Sequence, residues 1–243
     1  EVETRQTSDA DLWVLVLSGA IGIGVADTLL FMGLNLIGAS RQAIIDCLYS
    51  PAVVVCSYFA LGERLSPMDA AGAGLILAGV MLTIQRQTGS QGQSDISRAD
   101  LWKGGLYSAS SVLLMALAIV WAKPALERAD VLWSTTLRML GGLGVLLLLA
   151  GCSRSLRRDV REAFVPQKAW RDALPGSVVG TYLALLFWIA GFKYAPASIA
   201  AILNQTSTVF IVLLAAAFLS ERLHIRVVIA VLAAFVGSIV VLM

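Results

Sequence analysis

Residues 39–65 read ASRQAIIDCLYSPAVVVCSYFALGERL, and residues 197–223 read ASIAAILNQTSTVFIVLLAAAFLSERL. One shift, 158 residues from 39 to 197, superposes Ala39-Ser40 on Ala197-Ser198, Ala43-Ile44 on Ala201-Ile202 and Glu63-Arg64-Leu65 on Glu221-Arg222-Leu223 without a gap. The same shift carries Gly33 onto Gly191 and Gly79 onto Gly237. The chain is therefore built on an internal repeat. Its chemistry repeats as well, because Asp46 falls on Asn204 and Ser50 on Thr208. Pro51 falls on Val209, so the proline is not shared.

Of the 243 residues 58% are hydrophobic and 14% charged, with mean hydropathy +0.81, whereas a soluble domain carries roughly 25% charged residues. The charges gather in short intervals and leave apolar runs of about 20 residues, the length a helix needs to cross a bilayer. Eight spans are expected, over about 12–37, 42–62, 66–85, 101–122, 131–151, 173–194, 197–219 and 225–243. All should be helical, since open strand edges do not survive in hydrocarbon. The fold class is all-α, a polytopic membrane helix bundle. The polar stretch QRQTGSQGQSDISRAD divides it into a first repeat over 1–85, a linker over 86–100 and a second repeat over 101–243. Three spans precede the linker and five follow, so copy one lacks two spans at its front. The chain opens on polar EVETRQTSDAD without an initiator Met or signal-like segment, which reads as a piece of a longer protein.

A net charge of +2 with no basic stripe between aromatics points away from nucleic acid. The Lys and Arg between spans inform topology instead. Twelve fall on one side, including the cluster from Arg154 to Arg171, and five on the other: Arg5, Arg64, Lys123, Arg128 and Lys193. The positive-inside rule makes the first side cytoplasmic and turns both chain ends outward. The acidic segment 1–11 stands where the basic loop 151–172 stands in copy two, and five spans per copy, an odd number, invert one copy relative to the other.

The stretches ADTLLFMGLNLIGAS (26–40), IIDCLYSPAVVVCSYFALGERLSPMDAAGAGLILAGVML (44–82) and YLALLFWIAGFKYAPASIAAILNQTSTVFIVLLAAAFLSERL (182–223) resemble the drug/metabolite transporter superfamily in its EamA-type branch. The resemblance covers nearly the whole chain. It implies a ten-helix, inverted 5+5 repeat of which eight helices are present here. It also implies transport of a small metabolite or amino-acid-like solute, export included, and an integral protein of a bacterial inner (plasma) membrane. The family places both ends in the cytoplasm, which the loop charges of this chain contradict.

A carboxylate within a span is costly unless it is paired, protonated or facing water. Asp46, about one turn inside its span, is thus a candidate for substrate binding or proton coupling, the alternative being an interfacial pair with Arg41. Asp27, near mid-span in GIGVADTLL, is the other proton-coupling candidate, unless it merely fixes packing. Arg138, seven residues into its span, asks for a carboxylate or an anionic substrate, with Asp27 or Asp46 as the protein's own possible partners. Asn204, Gln205, Thr206, Ser207 and Thr208 form a long uncharged polar run that can line a cavity at the repeat interface or hold helices together. Ser50 belongs with them through the repeat, and Pro51 reads as a helix kink. Tyr107, Tyr182 and Trp188 are candidates for aromatic lining. Trp121 and Trp133 can join that lining or, being near span ends, serve as interfacial anchors. Glu63-Arg64 and Glu221-Arg222 read as structural turns carried through duplication.

Other chemistry has little support. Cys47, Cys56 and Cys152 show no CxxC spacing and read as small buried hydrophobes. The glycines of GAIGIG and GAGLILAG lie inside apolar spans and suit close helix packing, not nucleotide binding. No Walker-type loop, cofactor motif or metal-ligand cluster appears. The expected partners are a small-molecule substrate and the lipid bilayer, with a homodimer compatible. A secondary transporter working by alternating access, and not an enzyme, is the leading expectation. The competitors are an intramembrane enzyme using Asp27 and Asp46 as a carboxylate pair and a passive channel or scaffold.

Overall fold

The computed structural model describes residues 8–90, 97–152, 157–158, 165, 170–207, 229, 232–233, 235–237 and 239–240. Helix α1 runs Asp9–Ile37, α2 Ala39–Asp46, α3 Tyr49–Leu61, α4 Pro67–Ser90, α5 Arg98–Arg128 and α6 Val131–Cys152. Helix α7 starts as Trp170–Ser177 and ends as Ala184–Tyr194, and α8 is Ala197–Asn204. No strand occurs among the described residues. By length and composition, α1, α5, α6 and the Ala173–Tyr194 part of α7 can each cross a membrane. Their outer faces fit that reading: Trp102 and Leu148 are 82% and 70% exposed, as side chains facing lipid are.

Helix starts follow local chemistry. Ser66 and Asp69 bond each other's backbone N–H at the head of α4, with Pro67 in the first turn where no donor is needed. Ser97 accepts from Asp100 N at the head of α5. The polar interval expected as a linker over 86–100 is shorter than its composition suggests. Helix α4 continues to Ser90 and α5 begins at Arg98, because Gln and Arg tolerate helix geometry well; residues 91–96 lie outside the described residues.

Helix α1 packs on α5 and α6, α3 on α5 and α8, and α7 on α5 and α6. The main core gathers Leu15, Tyr49, Val53, Ile119, Leu126, Ile189 and Phe192; a smaller one joins Cys47, Ile76 and Ile202. Of the three cysteines Cys152 is exposed, contrary to the expectation that all are buried, because it ends α6. The GAIGIG glycines serve close packing as expected. A Cβ on Gly24 would lie 2.5 Å from the Val145 Cβ. In GAGLILAG this holds only in part: Gly72 and Ile76 lie against Gly237, whereas a Cβ on Gly74 would meet nothing within 4 Å.

The 158-residue shift is visible in the backbone. Helix α1 carries a π-helical turn over Ala20–Ala26 and α7 one over Val178–Leu183, both starting at matched positions.

Candidate functional site

The expected span 42–62 is broken. Helix α2 stops at Asp46, Cys47 and Leu48 form a turn closed by Leu48 N to Ile45 O (2.9 Å), and α3 starts at Tyr49. In copy two α8 stops at Asn204, and the turn is closed by Thr206 N to Leu203 O (3.0 Å). The two breaks and their closing bonds are related by the same shift of 158. Pro51 is thus no kink within a helix: it lies in the first turn of α3, where a missing N–H costs nothing. Val209 in the matching place means that the second break forms without a proline.

A broken helix frees backbone groups that hydrocarbon cannot satisfy. Here one break serves the other, with Gln205 Nε2 donating to Asp46 O (3.3 Å). The Asp46 carboxylate is held from its own helix, where Gln42 Nε2 donates to Oδ1 (2.8 Å). Gln42, itself buried, accepts from Ser108 Oγ of α5 through Oε1. Arg41 donates to Ile37 O (3.5 Å) and makes no ion pair with Asp46 among the described residues. Ser50 and Gln205 are buried and Asn204 is half-buried, whereas Thr206 turns back onto Leu203 O (2.7 Å) and Ser207 is exposed. Thr208 lies outside the described residues. Trp188 packs on Phe192 with ring centroids 4.7 Å apart, at the edge of the main core. Tyr182 is half-buried in the π-turn of α7, whose neighbours are exposed, away from this junction.

Arg138 lies apart from both aspartates. It is 1% exposed, its Nη1 donates to Ser18 Oγ of α1 (2.6 Å), and its Nε has no partner. No ion pair joins it to Asp27 or Asp46 among the described residues, so the charge pair expected from sequence does not form. Asp27, half-buried, directly follows the π-turn of α1 and shares no hydrogen bond with Asp46 among the described residues. No three His, Cys, Asp or Glu side chains gather as a metal site would require among the described residues.

One end of the bundle is clamped by charge. Helix α3 closes on Gly62 in the left-handed region (φ 70), which turns the chain so that Glu63 reaches the head of α8. Its carboxylate accepts from Ala197 N (2.8 Å), Ser198 N (2.9 Å) and Ser198 Oγ. Lys123, 4% exposed, donates to Phe192 O (2.6 Å) and Ala195 O (2.8 Å) at the tail of α7 and pairs with Glu127 (2.8 Å). Arg128 pairs with Asp11, and Lys193 donates to Ala129 O. Lys123, Arg128 and Lys193 thus share one end, as the charge count grouped them. Lys123 is nevertheless a buried cap and not a loop charge, because α5 runs six residues beyond the expected span end at 122.

Burial pushes the Glu63 carboxyl up, but the bonds from Ser198 and Ala197 and the charge of Lys123 together hold it below the usual range. A depressed carboxyl stabilises the fold fully above its unfolded pKa of about 4.3 and loses that contribution as pH falls through its folded value. Glu63→Ala should therefore cost about 1–2 kcal/mol at neutral pH. It should also flatten the acid limb of a melting-temperature profile below about pH 4. An unchanged acid limb would show that Glu63 is not the titrating cap.

The structure joins Asp46 and Gln205 directly, places Arg138 separately and leaves Asp27 and Tyr182 apart. Sequence reading missed Gln42, Ser108, Ser18 and Tyr49. Gln42 stands four residues before Asp46, a helical spacing that could have revealed it; the others depend on distant contacts.

A crystal structure described only as "Crystal structure of protein" superposes with a TM-score of 0.74 at 19% identity, covering 96% of this chain and 78% of that one. No curated protein matches. The EamA-like transporter family matches residues 2–85 and 102–243, two segments that meet the repeat on either side of the polar interval. With its apolar helices, this chain is an integral membrane protein and belongs to the EamA-like transporter family.

Proposed function

We propose that the chain is the greater part of a secondary transporter that carries a small metabolite or amino-acid-like solute by alternating access. The observation that carries this reading is the pair of helix breaks, matched through the repeat and bonded to each other from Gln205 to Asp46 O. Irregular backbone at membrane depth persists only where protein or a polar cavity satisfies it, and paired broken helices suit a substrate site between two moving halves. Asp46, Asn204, Gln205, Ser50 and Thr208 would contact the solute, with Trp188 as aromatic lining. Asp46 or Asp27 would carry the coupling proton.

The architecture we infer is an inverted 5+5 repeat whose first copy lacks two helices. Gly22, Gly24 and Gly33 of α1 press on α5 and α6, whereas a Cβ at Gly180 or Gly191 of α7 would meet nothing within 4 Å. That face, bare among the described residues, has room for a helix pair equivalent to α5 and α6. The basic side is taken as cytoplasmic. A cysteine at Arg158 should then resist an impermeant thiol reagent in intact cells, and rapid labelling there reverses the orientation.

The test of function is uptake by the reconstituted full-length protein in liposomes, with amino acids and small metabolites, with and without a proton gradient. Saturable uptake that follows the gradient, or exchange in preloaded vesicles, supports secondary transport. Neither in any condition overturns it.

A further inference from the structure

Resting on the transport reading above, we propose that Arg138, Tyr49 and Ser134 form an anion subsite that takes the carboxylate of the carried solute. Arg138 and Tyr49 are 1% and 7% exposed; Tyr49 shares the main core with Leu15, one turn from the Ser18 that holds Arg138, and Ser134 stands one turn before Arg138 on α6 with 0% exposed. Arg138 Nε, Tyr49 Oη and Ser134 Oγ are the buried side-chain polar atoms without a hydrogen-bond partner among the described residues. All three can donate, and the guanidinium can do nothing else.

The one acceptor supplied to Arg138 among the described residues does not neutralise it. Ser18 Oγ gives its own proton to Leu15 O (2.8 Å) and receives Nη1 through a lone pair. A guanidinium buried without an anion is expensive, and buried hydroxyls without partners add to the cost. The complement of such a donor-rich, acceptor-poor cluster is an oxyanion. Because Nη1 is engaged by Ser18, the edge that remains is the one bearing Nε, which grips a planar carboxylate with two parallel bonds. Gly22 of α1 packs against this side, where a methyl would stand 3.5 Å from Nη2 and 3.3 Å from the Ala118 Cβ. The subsite lies against α1 and α6, and Tyr49 belongs to the main core on which Trp188 packs.

The test uses the full-length protein in detergent and in liposomes. The probes are L-alanine, L-leucine, L-phenylalanine and L-lactate, each against its primary amide, with inorganic phosphate as a second oxyanion. Thermal stabilisation reports binding and radiolabelled uptake reports transport. Carboxylates should stabilise the wild type, and their amides should require about tenfold or more higher concentration. Arg138→Gln should lose that preference, and Tyr49→Phe, which keeps the ring, should weaken carboxylate binding severalfold. Should Arg138→Gln not fold, Arg138→Lys, which keeps the charge without the fork, should still bind carboxylates about tenfold more weakly.

Equal response to acid and amide, or carboxylate binding unchanged in Arg138→Gln, overturns the subsite while leaving transport intact. No stabilisation by any carboxylate at saturating concentration overturns it too, and phosphate binding tighter than every carboxylate overturns the planar anion. Carboxylate-selective binding without uptake in any condition upholds the subsite and removes the transport reading instead.

Discussion

Gradient-driven uptake should fall about tenfold or more in Asp46→Asn, while the protein still accumulates and elutes as the wild type does. The expectation follows from the geometry around this residue. Asparagine keeps an oxygen where Gln42 Nε2 donates (2.8 Å) and keeps the backbone carbonyl that Gln205 engages (3.3 Å), so the meeting of the two breaks is preserved. What disappears is the ionisable group, and a proton-coupled step cannot be carried by an amide. Uptake into liposomes under an imposed proton gradient, compared with exchange in preloaded vesicles, separates the effects. Loss of the first with retention of the second identifies Asp46 as the coupling group. Unchanged uptake removes Asp46 from the site and leaves Asp27 as the candidate carboxyl.

Replacement of Gly141 by Leu should prevent stable assembly of α1 with α6. A Cβ on Gly141 would stand 2.0 Å from Val16 O, and one on Gly19 would stand 2.0 Å from Arg138 O. In both cases the obstacle is backbone, which no rotamer change can move aside, so the helices must separate. The cost should be about 3 kcal/mol or more, the upper range for overpacked cores. Gly144, three residues along, meets nothing within 4 Å, and Gly144→Leu is the matched control. Thermal unfolding in detergent should show a large fall for Gly141→Leu and almost none for Gly144→Leu. Equal melting temperatures would mean that α1 and α6 do not pack as described. Separation of these helices would also dismantle the contact between Ser18 and Arg138.

Membrane class, helical content and the internal repeat were legible from the chain alone, because each depends on local quantities. Apolar runs of about 20 residues state their solvent directly, and a duplication leaves its register in the residues whatever their environment. Asp46 and Gln205 were legible as polar positions within spans, and Glu63 as a recurring turn residue. Their partners were not, because Glu63 meets α8 across 134 positions of sequence and Gln205 meets Asp46 across 159.

Apolar length does not ensure a continuous helix. Span 42–62 is apolar enough to read as one helix, yet it contains a turn at Cys47 and Leu48 that its polarity barely marks. The proline suggested a kink, but the matching turn at Gln205 and Thr206 forms without one, so tertiary bonding between the breaks decides their place. Lys123 was read as a loop charge because hydropathy falls there; only the packing of α5 against the end of α7 shows three carbonyls waiting for it. Arg138 is the clearest division between the two levels. Sequence required that a buried cation have a partner, since charge in hydrocarbon is costly wherever it sits. Only the fold could decide that, among the described residues, neither aspartate pairs with it and Ser18 of α1 stands there instead, because a side chain's partners are set by which helices pack together, and that is a property of the whole chain.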